Sequence, residues 1–159
     1  MPRINNVTAY ICKNYPHPSE LSKTRLTKLV YLSDWKSAQQ KNQTLTPITW
    51  HFHNFGPYVD DVMESVQEDE RFVINYTETM YGDPKMLIEF IGLEDSITGL
   101  SSEDTRIIDE VIEETKTMYW DSFIKHVYST YPIKTIDRYT DLDLIALAVN
   151  EQNLDDNKA

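Results

Sequence analysis

Apolar residues along the chain recur mostly at helical spacing, with one clearly alternating stretch. Ile4, Val7, Ala9, Tyr10 and Ile11 make a short, broadly apolar helical segment. Two prolines in Tyr15-Pro16-His17-Pro18 break it, and Ser19 or Ser22 is placed to cap the next helix. In that second helix Leu26, Leu29, Val30 and Ser33 share one face, while Leu32 and Trp35 add apolar surface on others. The pattern predicts a central, mostly buried helix. It runs out in the polar stretch Gln39-Gln40-Lys41-Asn42-Gln43, and Thr44-Leu45-Thr46-Pro47 reads as a connector.

From Ile48 to Phe55, Trp50, Phe52 and Phe55 are mixed with His51, His53 and Asn54, which predicts an extended or irregular segment. Gly56-Pro57 ends it. Pro57 suits the first turn of a helix carrying Val59, Val62, Met63 and Val66. Asp60 and Asp61 fall in that turn, where the helix dipole favours anions. Phe72, Ile74 and Tyr76 alternate with Val73, Asn75 and Thr77, and Met86, Ile88 and Phe90 alternate with Leu87 and Glu89. With the turn residues Tyr81-Gly82-Asp83-Pro84 between them, these runs predict a β-hairpin.

Ser101-Ser102-Glu103-Asp104 has the form of a capping box opening a helix with Ile107, Ile108, Val111, Ile112 and Thr115 on one side. A shorter helix is expected from Trp120 to Tyr128, with Pro132 as its stop, and a last one from Asp141 to Val149. Residues from Asn150 on are polar and are expected to fray. The fold class that results is mainly α: a compact helical domain with a small β-hairpin (α+β). Only four glycines occur, which fits helices better than a turn-rich β architecture.

At 159 residues the chain suits one domain. Its 40% hydrophobic and 26% charged residues are those of an ordinary globular protein. A formal net charge of -11 argues against nucleic acid as the main partner, since phosphate binding needs surplus cations. The same charge suits a basic protein partner. The single cysteine, Cys12, excludes an intramolecular disulfide and any cysteine-based zinc or iron–sulfur site. The start lacks the apolar core of a signal peptide and no run is long enough to cross a membrane, so a cytoplasmic location is expected.

Candidate chemistry is sparse. His51-Phe52-His53 would place two imidazoles on one side of a strand, where both could face one metal ion. A third ligand would have to come from His17, His126 or a carboxylate. Asp60, Asp61, Glu64 and Glu68 line one helix and read more simply as a solvated face than as an acid–base pair. No serine-nucleophile signature and no glycine-rich phosphate loop is present, and Cys12 reads as a small buried hydrophobe. The aromatics from Trp50 to Tyr58 are either interface anchors or core.

Two segments in order resemble a known family. The first is the helix Leu26-Thr27-Lys28-Leu29-Val30-Tyr31-Leu32-Ser33-Asp34. The second, some twenty residues on, is the aromatic stretch from Trp50 to Phe55, then Gly56-Pro57, then a helix from Tyr58. The later Leu100 to Asp104, with Ile108 to Val111, is similar to the family's third helix start. The family is the Panacea domain, also called the SocA-like antitoxin domain, and the likeness covers about residues 4 to 131. Tyr58 stands where the family usually has valine after Gly-Pro.

The resemblance implies a largely helical domain over residues 1–150 with a polar tail at 151–159. It implies an antitoxin that neutralises a co-encoded toxin in bacterial or phage systems by direct binding, with or without delivery to a protease. No enzyme activity, catalytic residue, metal or cofactor is expected, and the expected partner is a basic toxin protein. The expected partner-binding residues are Trp50, His51, His53, Phe55, Pro57, Tyr58, Asp60 and Asp61. Two other readings stay open. One is an acidic phage or mobile-element accessory protein inhibiting a host nuclease or defence factor. The other is a metal-dependent enzyme using His51 and His53.

Overall fold

The computed structural model describes residues 3–158, and its longest helix is hidden from solvent over most of its course. This helix, α2 (Lys23–Lys41), starts at Ser22, whose hydroxyl accepts the Arg25 N–H, and ends at Asn42 in the left-handed conformation. Every residue from 25 to 35 is buried. Apolar residues on several faces let neighbours pack all round it, as the sequence pattern implies. The buried Arg25 is held by the Tyr15 hydroxyl and the carbonyls of Thr115 and Met118, and it lies over the Phe123 ring.

Four helices lean on α2: α1 (Ile4–Asn14), α3 (Asp61–Gln67), α4 (Ser102–Thr115) and α7 (Leu144–Lys158). The capping box of α4 is formed, with the Ser101 hydroxyl accepting the Asp104 N–H and the Asp104 carboxylate accepting the Ser101 N–H. The buried face of α4 carries Ile107, Ile108, Val111, Ile112 and Thr115, as its spacing predicts. α5 (Trp120–Tyr128) has the expected bounds and buries Phe123 and Val127. Pro132 does not stop the chain there. It lies in the first turn of a further short helix, α6 (Tyr131–Thr135), where its missing N–H would have had no partner.

The expected hairpin is present. β3 (Phe72–Glu78) and β4 (Pro84–Phe90) pair antiparallel from Phe72↔Phe90 to Glu78↔Pro84. A second, three-stranded antiparallel sheet is a departure from expectation. It has the order β2-β1-β5, with β1 (Trp50–His53), β2 (Gly56–Tyr58) and β5 (Asp141–Leu142). Pro57 therefore lies in an edge strand, where a missing N–H is tolerated, and α3 begins only at Asp61. Asp141 and Leu142 pair with β1 instead of opening the last helix. That helix, α7, continues past Val149 to Lys158, and a 2.7 Å hydrogen bond from Gln39 to Glu151 ties its later part to α2. The fold is mainly α, with seven helices and five short strands among the described residues.

Candidate partner-binding cleft

The site begins with a buried carboxylate. Asp34 on α2 accepts four hydrogen bonds: the N–H groups of Leu45 (2.8 Å) and Thr46 (3.0 Å), the Thr46 hydroxyl (2.5 Å) and the Trp50 indole N–H (2.9 Å). Burial pushes this carboxyl up to about 6, while the four donors pull it down. The bonds fasten the connector after α2 and fix the entry of β1. Trp50 is fully buried and packs edge-on against Tyr31 at 5.5 Å. Strand alternation then decides the rest: Trp50 and Phe52 point inward, and His51 and His53 are left on the other face.

That outer face opens on a cleft of about 770 Å³ between β1, β2, the start of α3 and one side of α2. Six of the eight expected partner-binding residues line it: His51, His53, Phe55, Tyr58, Asp60 and Asp61. The structure does not bring the other two there. Trp50 is in the core, bonded to Asp34, and Pro57 is buried within the strand pair. Phe55, at the tip of the β1–β2 turn, is 81% exposed, so it is surface and not core. Asp60, Asp61 and Glu64 on the rim take part in no ion pair among the described residues.

The two histidines carry their protons differently. Asp141, opposite His51 across the β1–β5 pair, accepts from its Nδ1 at 2.9 Å, so the neutral ring has a lone pair on Nε2. His53 Nδ1 accepts the Asn54 backbone N–H at 2.9 Å, so its proton is on Nε2. One ring thus offers an acceptor and the other a donor. For His53 Nε2 to ligate a metal, the proton would have to move to Nδ1, against the Asn54 N–H. This arrangement suits hydrogen bonding to a partner better than two imidazoles on one ion. Among the described residues no group of three or more His, Cys, Asp or Glu is placed to hold a metal.

α2 supplies what sequence reasoning missed. Lys28 is only 2% exposed, yet it lines the cleft. Burial pushes its ammonium down to about 8, with no neighbouring acceptor or opposite charge to restore it. Its Nζ lies 6.0 Å from the centroid of the Tyr58 ring, and Lys23 lies over the same ring at 5.6 Å. Gly56 beside Lys28 sits at φ +102°, and a Cβ there would lie 3.8 Å from Lys28 Cε and 3.5 Å from the Tyr128 ring. Those contacts are ordinary, so Gly56→Ala should be destabilising through its backbone alone, by about 1–2 kcal/mol. Urea unfolding checks this. The signal for Lys28 is in the sequence: it is a lysine inside a helix that is apolar on several faces.

Elsewhere the candidate chemistry is quiet. Burial pushes the Cys12 thiol up to about 12, which makes it a poor nucleophile. The carboxylates of α4 are mostly engaged: Asp104 with Lys41, Glu110 with Arg106, Glu113 with Lys116 and Glu114 with Lys36. A second, more apolar groove lies between the hairpin end, with Met80 90% exposed, and the start of α5 at Tyr119 and Trp120. No helix among the described residues is long and apolar enough to cross a membrane.

Comparison with known proteins bears on the whole arrangement. Neither a curated relative nor a solved structure matches the chain. The family model described as antitoxin SocA-like, Panacea domain, matches residues 26–132, from Leu26 in the buried part of α2 to Pro132 in α6. The match takes in Lys28, both histidines, Tyr58 and the rim of α3, and leaves out α1, which the sequence likeness had included. With about two thirds of its length matched by that model and a mainly α fold as expected, the chain belongs to the SocA-like antitoxin family, the Panacea domain.

Proposed function

We propose that the chain is an antitoxin that neutralises a co-encoded toxin by binding it directly, and that the cleft beside β1 is its contact surface. The observation that carries this reading is that six residues singled out for binding share one open cleft, with unpaired carboxylates on its rim. Exposed Phe55 supplies an apolar anchor, and the histidines supply a directional donor and acceptor. The net charge of -11 speeds capture of a basic toxin, an effect that salt weakens. The mechanism is masking of the toxin's active surface, with no chemical step. Delivery of the captured toxin to a protease is a further step that this reading allows. The site of action is the cytoplasm, and residues 1–150 act as one domain.

The other two readings lose support on particular observations. A mimic of nucleic acid needs unpaired anions, and those of α4 are largely tied to cations. A metal enzyme on His51 and His53 needs further ligands, and among the described residues no group of three or more His, Cys, Asp or Glu is placed to hold an ion, while His53 Nδ1 is already taken by the Asn54 N–H.

Co-expression with the adjacent reading frame tests the proposal. The neighbour alone should stop growth, and this chain should restore it. If the neighbour is harmless, or if its toxicity persists in the presence of this chain, the reading is wrong. Within the cleft, His53→Ala and Tyr58→Ala are each expected to weaken toxin binding by about 1–2 kcal/mol with little change in thermal stability. Calorimetric binding and thermal melts measured on the same samples check both halves.

A further inference from the structure

We propose that the Lys28 ammonium receives a carboxylate carried by a basic polypeptide, an acidic side chain flanked by lysine or arginine. The inference deepens the reading of the cleft as the partner surface and rests on it. Lys28 as a residue is 2% exposed, lines an open cleft and forms no side-chain hydrogen bond or ion pair among the described residues, so its stem is buried and its ammonium is left to the cleft and to what enters it. An anion entering the cleft would complete the pair.

The surroundings specify what that partner brings. Beside Lys28 the cleft offers further donors: Lys23, which shares the Tyr58 ring with it, and the Nε2–H of His53. Together they suit an anionic oxygen acceptor. The rim is the opposite. Asp60, Asp61 and Glu64 take part in no ion pair among the described residues, and His51 is bonded to the Asp141 carboxylate beside them. A doubly charged phosphate would meet more repulsion from that rim than a singly charged carboxylate. A carboxylate flanked by cations would meet attraction at both levels, with its charge on the ammonium and its neighbours on the rim.

The test is a side-chain and amide NMR titration of the whole chain with three probes: the capped tripeptide Lys-Glu-Lys, its counterpart Lys-Gln-Lys, and inorganic phosphate. Lys-Glu-Lys is expected to shift the Lys28, His53 and Tyr58 signals saturably. Lys-Gln-Lys should bind about tenfold more weakly or less, as expected for loss of a charge-assisted bond. Phosphate should bind more weakly than Lys-Glu-Lys, and Lys28→Met should abolish the preference for the glutamate peptide. The proposal is overturned if the two peptides bind alike, if phosphate binds more tightly, if nothing saturates, or if folded Lys28→Met keeps the preference. The two-peptide comparison on the unmodified protein decides the matter even where Lys28→Met does not fold. Growth restoration separates the two claims: if Lys28→Met restores growth as well as the unmodified chain does, this contact falls and the antitoxin reading stands.

Discussion

Replacing Lys28 by methionine is expected to stabilise the free protein by about 3 kcal/mol near neutral pH. The figure comes from the fall of the Lys28 pKa from 10.5 to about 8, at about 1.4 kcal/mol per unit. Methionine has similar length and can fill the same space against Tyr58 and Gly56 without a charge to desolvate. The sign is checked by pH. Between about pH 8 and 10.5 Lys28 is neutral in the folded chain and still protonated in the unfolded one. The unfolded state then holds more protons, so this group's contribution to stability rises with pH. The gap between variant and unmodified chain should therefore shrink over that window and close near its upper end. Comparing the two proteins cancels the opposing titrations of Cys12 and the buried tyrosines, which both share. Urea unfolding at several pH values measures this. A variant less stable than the original at pH 7 would mean that Lys28 has an acceptor within the fold.

Asp34→Ala is expected to cost at least about 4 kcal/mol, because four buried donors would lose their acceptor at about 1–3 kcal/mol each. Against a total stability of about 5–15 kcal/mol, that brings the protein close to unfolding at body temperature. Asp34→Asn should be milder, since its carbonyl oxygen can still serve the Leu45 and Thr46 N–H groups. Its amide would face the Thr46 hydroxyl and the Trp50 N–H, losing an acceptor for each. Chemical unfolding followed by tryptophan fluorescence ranks the three proteins. A loss under about 1 kcal/mol for the alanine variant would show that the connector holds β1 without Asp34.

Helices α1, α2, α4 and α5 were legible because local signals agreed: apolar spacing, the Ser22 cap, the capping box at Ser101 and the proline break before α2. The β3–β4 hairpin was legible for the same reason, since its alternation and turn lie in one short stretch. The second sheet was not. β5 has two residues and pairs with β1 across about 90 positions, a contact that no local pattern records. Pro57 misled because proline is as much at home at a helix start as in an edge strand. In the cleft, Trp50 was separable from His51 and His53 by strand alternation alone, since it shares the parity of Phe52. The burial of Lys28 was harder to see, because a polar residue on a helix reads as its exposed face unless all the other faces are also apolar.

The central claim is that a toxin docks in the cleft between β1, β2, α3 and α2, and one titration tests it most directly. The purified product of the adjacent toxic reading frame is added to the unmodified chain and to His53→Ala and Tyr58→Ala, each first shown to be folded, and binding is read by calorimetry. The account predicts a saturable complex with the unmodified chain, weakened by salt and reduced about tenfold in each cleft variant. A complex that forms with the same affinity in all three proteins, or no complex at all, would contradict it.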